Sequence, residues 1–197
     1  WTCLLKFLLL HPVWLLQQLA LLLWENCWAP KHLLKSLFVF TKGPALAEFT
    51  NALNADAVHI FWGHYPSLLI PFLKHLAPQR PISVFLGAYA IVAPVPSQGR
   101  VLQDADCLTT HFEGHMETLR KPRPLPKRPS AMVYRGVDLE NIERFRVHRG
   151  SLGAGDHELI GVASRLVYDK AVDHALRAFA LVSDRRPWLN LEVIGSG

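Results

Sequence analysis

The chain has 197 residues, half of them hydrophobic, and carries a formal net charge of +5 at pH 7. This composition supports a buried core and excludes a chain that is disordered throughout. The positive charge suits an acidic substrate or an anionic membrane surface, whereas a nucleic-acid partner is not expected, because no basic stripe with interleaved stacking aromatics occurs.

Residues 1–28 are strongly apolar but are interrupted by polar and helix-breaking residues. Every window of about 20 residues, the length that a membrane-spanning helix needs, contains Pro12 or the pair Gln17–Gln18. A signal peptide is not indicated, since a basic start and a small-residue cleavage site are missing. Three alternatives stay open: buried core helices, an interfacial membrane helix with tryptophans at the headgroups, and a hydrophobic hairpin.

Residues 31–134 alternate between helical and extended patterns. Two short helices are predicted at Lys31–Thr41 and Ala45–Leu53, separated by Lys42-Gly43-Pro44. Two more helices, near Pro66–Leu76 and Phe112–Arg120, alternate with short apolar strands. The predicted strands are Ala57–Phe61, Pro81–Leu86, Cys107–Thr110 and Ala131–Tyr134. Strands that alternate with helices predict a parallel sheet with helices on both faces.

Histidines occur in or directly after the predicted strands, where a parallel sheet binds its ligands. His64 follows the first strand and either faces a ligand or simply starts a helix. His111 and His115 share a helix face, but a third ligand and the HExxH order are missing, so no metal site is predicted.

The C-terminal residues have the pattern of one strand–helix–strand unit. Apolar strands are predicted at Leu159–Ala163 and Leu191–Ile194, and the helix between them is predicted with Asp169 as its N-cap. Arg165 and Lys170 lie in the first corner, where an arginine fork and a mobile ammonium could hold a diphosphate near a helix N-terminus. Alternatively, both cations are solvated surface charges. Two glycines that could let the next loop approach a ligand follow the second strand: Gly195 and Gly197.

Several segments together resemble the donor half of family 4 glycosyltransferases. Ser164–Lys170, Ala178-Phe179-Ala180 and Val193–Gly197 are similar to the family's G-R-L-x-x-x-K-G, A-F-A and G-x-G motifs, with Ser164 and Ala171 in place of two glycines. Upstream, Tyr134–Asp138 with the later Phe145 resembles the family's N-G-V-D-x-x-x-F segment, with Arg135 in place of the asparagine.

The resemblance implies a GT-B fold of two Rossmann-like domains and a retaining sugar transfer from a nucleotide-diphosphate sugar, with no metal or other cofactor. Arg165 and Lys170 would act as the catalytic pair and, with Gly195 and Gly197, bind the donor diphosphate. The acceptor, a glycan or a lipid-linked sugar, would bind on the first domain. The residues expected to contact it or to line the adjoining cleft are His59, Gly63, His64, Gly87 and His111.

The chain also departs from the family at the acceptor side. Phe61 replaces the second histidine of the family's H-x-H-F segment, and Gly87 and Ala90 stand where relatives often carry a histidine and an aspartate. Alternatives therefore stay open: a nucleotide-sugar-binding or epimerase-type GT-B protein, or a catalytically impaired membrane-associated module.

The predicted domain organisation has three parts. Residues 1–138 form most of an N-terminal Rossmann-like domain, residues 139–156 a polar, glycine-rich linker, and residues 157–197 the first βαβ of the donor domain, so the chain is expected to be truncated at both ends. Cys3, Cys27 and Cys107 lack disulfide or metal spacing, which favours a reducing cytoplasm. Peripheral contact with the inner face of the plasma membrane is an open alternative.

Overall fold

The computed structural model describes residues 2–121, 125–149 and 158–197. The chain divides into two compact units, Trp1–Gly136 and Val137–Gly197. The first unit contains a four-stranded parallel sheet flanked by helices, and the second contains a two-stranded parallel sheet. This α/β architecture confirms the predicted mixed parallel fold at the level of a Rossmann-like arrangement.

Three helices form an N-terminal layer of the first unit. Pro12 occupies the first turn of α2, a position at which its missing N–H costs no hydrogen bond. The axes of α1 and α2 are bent by 111° at His11, and each helix contributes side chains to the core, among them Phe7, Leu15 and Leu22. Apolar side chains on the other faces of these helices remain exposed. The bounds are α1 Thr2–Leu10, α2 Pro12–Asn26 and α3 Pro30–Ala52.

The capacity of these helices to span a membrane differs between the single helices and the pair of α1 and α2. No single helix in the described part of the chain is long and apolar enough to cross a bilayer. The bent pair of α1 and α2, taken together, has the length and apolar composition of a membrane-spanning segment.

The two helices predicted around Lys42-Gly43-Pro44 are one continuous helix, so that prediction was wrong. A proline inside a helix removes one backbone hydrogen bond and usually kinks or ends the helix. Here Gly43 and Pro44 are buried, and a Cβ at position 43 would lie 2.5 Å from the ring of Phe72 on α4. The close packing of α3 on α4 stabilises a helix that the local sequence disfavours.

The sheet of the first unit has the order β1-β2-β3-β4, and all neighbouring strands are parallel. The two central strands are the most buried, with Val84 and Leu108 inaccessible to solvent. The strands are β1 Val58–Ile60, β2 Ile82–Phe85, β3 Cys107–Thr110 and β4 Ser130–Met132. The connections contain a 3-10 turn at Tyr65–Leu69, α4 Ile70–Leu76, α5 Ala88–Val92, α6 Gln98–Val101, a second 3-10 turn at Leu102–Asp104, and α7 Glu113–Arg120.

The second unit consists of α8, a strand β5, a helix α9 and a strand β6. The two strands pair in parallel over six residues, from Glu158 opposite Leu189 to Ala163 opposite Ile194. None of the residues 137–144 and 158–197 is buried. The bounds are α8 Leu139–Arg149, β5 Glu158–Ala163, α9 Val172–Ser183 and β6 Leu189–Ile194.

The predicted linker is helical over its first part, because α8 occupies Leu139–Arg149. The rest of that linker, residues 150–156, lies outside the described residues, as does the side chain of Phe145 in the family-like segment.

Candidate functional site

The candidate donor-binding corner of the second unit is the loop that joins β5 to α9. Arg165 lies two residues after β5, and Lys170 ends a short 3-10 turn, Tyr168–Lys170. Both side chains are exposed. Because both follow the carboxyl end of β5, they occupy the edge of a parallel sheet at which ligands bind in open α/β folds.

The glycines after β6 pack against this corner. The N–H of Ser164 donates to the carbonyl of Ile194 at 3.0 Å, and the N–H of Leu166 donates to the carbonyl of Ser196 at 3.0 Å. A Cβ on Gly195 would collide with the carbonyl oxygen of Ser164, and one on Gly197 with the carbonyl oxygen of Leu166. The two glycines therefore let one loop run against the other, whereas a role in approaching a ligand stays a prediction.

The predicted N-cap of this helix, Asp169, was wrong. Asp169 lies inside the 3-10 turn, and α9 begins at Val172 with Ala171 as its N-cap. The error arose because the turn inserts residues between the polar corner and the helix. Asp173 does lie in the first turn, where its charge suits the helix dipole.

Ala171 has a left-handed backbone conformation, with φ 49° and ψ 37°. Among the described residues, Asn54 is the other non-glycine residue with positive φ. An L-residue in this region is strained by roughly 1–2 kcal/mol, and glycine is not. In the motif that this loop is predicted to resemble, the residue after the lysine is glycine.

Gly63 and Gly87, two of the predicted acceptor contacts, have different surroundings in the first unit. Gly63 is buried, its N–H donates to the carbonyl of Phe85 at 2.9 Å, and a Cβ there would collide with Leu86 and lie 2.7 Å from Val84. Gly63 is therefore required for packing. A Cβ on Gly87 would make ordinary contacts of 3.6 Å and longer, so this position has space for a side chain.

His59 makes its main contact within the sheet. It lies in the middle of β1, opposite Ser83 of β2, and its Nδ1 is 2.7 Å from the Ser83 hydroxyl. A histidine with a side-chain partner on the neighbouring strand has a structural role that needs no ligand.

His64 lies beyond the end of β1 in an aromatic environment. Its Nε2–H donates to the carbonyl of Ala93 at 3.1 Å, and its ring lies 4.5 Å from Tyr65 and 5.1 Å from Tyr89. Burial lowers the pKa of His64 below its ordinary value of 6.5, although the bond to Ala93 acts in the opposite direction. A neutral ring that donates through Nε2 keeps Nδ1 as a hydrogen-bond acceptor.

A stack of rings crosses the carboxyl edge of the four-stranded sheet. Phe61, Phe85 and His111 follow or end three successive strands, with ring centroids 5.3 and 5.4 Å apart and planes tilted by 18° and 25°. The guanidinium of Arg135, three residues after β4, lies 5.6 Å from the centroid of Phe85. A cation over an aromatic face is favourable.

His115 completes this edge. Its ring lies 6.0 Å from that of His111, and its Nδ1 is 3.3 Å from the hydroxyl of Thr110 at the end of β3. Burial lowers the pKa of His115, and the charge of His111 lowers it further.

The sequence predicted one member of this arrangement, His111, but neither Arg135 nor the rings of Phe61 and Phe85. Arg135 follows a strand end, and that position could have indicated it. Its reach back to β2 depends on strand order, which a single sequence does not give.

No group of three or more metal-binding side chains occurs among residues 2–121, 125–149 and 158–197. No protein-family model matches the chain, and no curated protein matches it.

Proposed function

We propose that the chain belongs to a retaining glycosyltransferase of GT-B architecture, which moves a sugar from a nucleotide-diphosphate sugar to a glycan or lipid-linked acceptor. The second unit would bind the donor, and the strand ends of the first unit would bind the acceptor. In the transfer, the bond between the anomeric carbon and the diphosphate breaks, and the acceptor hydroxyl bonds to that carbon on the same face. The hydroxyl proton leaves with the diphosphate or passes to water.

One observation carries the proposal: a left-handed residue follows Lys170 in the loop at the carboxyl end of β5. The family-like motif has a glycine there, and glycine is the residue that this backbone favours. The motif and the observed backbone thus agree at a position where the residue itself departs from the motif. This agreement favours a common loop conformation over two unrelated surface cations.

The chemical role of the corner would be electrostatic. Negative charge develops on the departing diphosphate, and fixed cations directed at such charge often provide the largest part of catalysis. Arg165 would contribute a planar fork of donors and Lys170 a point charge. Both are solvent-exposed, so a phosphate ligand can reach them.

The residues at positions 87 and 90 favour a second function. Gly87 presents no side chain and Ala90 is buried, so neither supplies the polar groups that the family pattern has there. A catalytically impaired, membrane-associated module would need neither group. Transfer of a labelled sugar to any acceptor by the chain would contradict this second function.

The donor site is tested by binding of UDP and GDP, measured by calorimetry on the whole chain. Substitution of Arg165→Ala or Lys170→Ala should each weaken binding by about tenfold or more, because a charge-assisted hydrogen bond contributes roughly 1.5–3 kcal/mol. Arg185→Ala, beyond the other end of α9, is the matched control and should change affinity less than about twofold. Unchanged affinity in both corner variants would remove the donor site from this loop.

A further inference from the structure

Three side chains with N–H groups that can donate to an anion lie at the carboxyl edge of the four-stranded sheet. Arg135 follows β4, His111 follows β3, and His115 lies on the first turns of α7. Parallel strands lie about 4.8 Å apart, so Arg135 crosses the end of β3 to place its guanidinium over Phe85 of β2. It therefore lies on the same ring that His111 stacks against.

The hydrogen-bonding groups of this cluster are only partly satisfied. The Nδ1 atom of His111 is buried and has no hydrogen-bond partner among the described residues. His111 can therefore meet a ligand only through Nε2. If the hydroxyl of Thr110 donates to Nδ1 of His115, then Nε2 of His115 carries a hydrogen and is also a donor.

Acidic residues near the cluster are directed elsewhere. Glu113 and Glu117 on α7 are both exposed, and at 3.6 residues per turn they lie about 160° around the helix from His115. The ring of Phe85 supplies an apolar surface beneath the guanidinium of Arg135, and Phe61 stacks on the same ring.

We propose that Arg135, His111 and His115 bind a negatively charged group, a phosphate or a carboxylate, on the acceptor sugar. The guanidinium offers a planar fork that matches either group, and the two imidazoles offer further donors. The identification of this acidic sugar as the acceptor rests on the proposed function. Binding of an acidic sugar at this edge is independent of that function.

Three ligands with the same sugar ring test the proposal: glucose 6-phosphate, glucuronate and glucose. Each is titrated into the whole chain while the imidazole NMR signals of His111 and His115 are followed. We expect one or both acidic sugars to shift these signals saturably and glucose to leave them unchanged. A phosphate-only response identifies a phosphorylated acceptor, and a glucuronate-only response identifies a uronic-acid acceptor.

Two arginines that flank β4 provide a matched pair of variants. Arg135→Gln should weaken binding of the acidic sugar by about tenfold or more, because a charged fork is lost. Arg128→Gln removes an exposed arginine that precedes β4 at the opposite end of the sheet and should change affinity less than about twofold. Arg135→Lys should restore part of the affinity.

Two results would overturn the proposal: equal shifts from glucose and both acids, or equal affinity in Arg135→Gln and Arg128→Gln. The backbone amide signals of residues 164–171 report nucleotide binding separately. Acidic-sugar binding without nucleotide binding would leave this site in place and remove the transferase function, and the reverse would remove only this site.

Discussion

At the residue scale, the backbone of Ala171 connects the sequence to a local conformational strain. Its left-handed conformation is one that glycine adopts freely and alanine does not. The carbonyl of Tyr168 accepts from the N–H of Ala171 at 2.9 Å, and the carbonyl of Ala171 accepts from the N–H of His174 at 3.0 Å. The strain is thus held in place by hydrogen bonds on both sides of the residue, at the junction between Lys170 and α9.

We expect Ala171→Gly to stabilise the second unit by about 0.5–1 kcal/mol, because relief of strain exceeds the added entropy of the unfolded chain. Hydrogen exchange of the α9 amides measures the change. Ala175→Gly is the matched control: the same substitution inside α9 should destabilise the helix by about 1 kcal/mol. Destabilisation by both substitutions would show that position 171 is not left-handed in solution.

Some features at the residue scale could not be predicted from the sequence. Asp169 has the side chain of a good N-cap, but the 3-10 turn puts Ala171 at that position. Gly63 and Gly87 look alike in the sequence, and only the surrounding side chains show that one is packed and the other open. Such distinctions depend on tertiary contacts that no local pattern contains.

At the element scale, a clamp of polar side chains joins α2 to α6. Arg100 donates from Nε to Oε1 of Glu25 at 2.7 Å and from a terminal nitrogen to Oε2 at 3.1 Å, and it also donates to Gln18. The pair is partly buried, with 27% and 19% of the two side chains exposed. Next to it, Asn26 donates to the hydroxyl of Ser97 at 2.8 Å. These contacts fix the N-terminal helices to the connection between β2 and β3.

We expect Arg100→Lys to destabilise the first unit by about 1–2 kcal/mol, because lysine cannot reproduce the two-point contact with Glu25. Chemical denaturation followed by circular dichroism measures the loss. Lys6→Gln removes the exposed ion pair with Glu48 and should cost less than about 0.5 kcal/mol. Equal losses in the two variants would mean that the clamp contributes no more than a surface pair.

Elements were predictable wherever the local pattern and the tertiary fold agree. Strand β3 matches its predicted bounds, Cys107–Thr110. The break predicted in α3 was wrong because Gly43 and Pro44, which usually end a helix, are both buried here, and Gly43 packs against Phe72. The parallel order of the strands follows from alternation with helices, whereas the register does not.

At the scale of the whole molecule, three half-buried histidines are expected to make the first unit sensitive to acid. Burial lowers the pKa of His64, His75 and His115 below the ordinary 6.5. His75 stacks on Trp14 at 4.2 Å and meets His11 edge-on at 4.5 Å. Burial disfavours a proton on the His75 ring, and the charge of His11 disfavours it further. Folding therefore favours the neutral rings.

We expect the first unit to be fully stable above the ordinary histidine pKa and to lose stability as the pH falls from 6.5 towards the lowered values of the folded state. The sign follows because the unfolded chain binds more protons in that window. Denaturation midpoints at about pH 7.5 and about pH 5.5 measure the effect. His75→Phe keeps the stack on Trp14 and should reduce the difference, whereas His174→Phe, at an exposed position, should not. A midpoint that is equal or higher in acid would contradict the assignment.

The lowered pKa of Asp106 acts in a different range. Its carboxylate accepts from Lys74 at 2.8 Å and from the N–H of Ile82 at 2.7 Å, and these contacts lower its pKa below the ordinary 3.8. The stabilisation from this group is present above pH 3.8 and is lost only in stronger acid. The histidine effect can therefore be measured without interference from it.

The sharp corner at His11 has a practical consequence for assays with lipid vesicles. Phe7, Leu15 and Leu22 belong to the same core cluster as residues of β2. Deletion of residues 1–28 would therefore remove core side chains and expose the apolar surface that they cover. Binding of such a truncated chain to vesicles would result from the exposed core surface and not from a membrane-binding site. Trp24 and Trp28 are 79% and 95% exposed. Serine at these two positions would remove the outward-facing indoles and leave the interior intact.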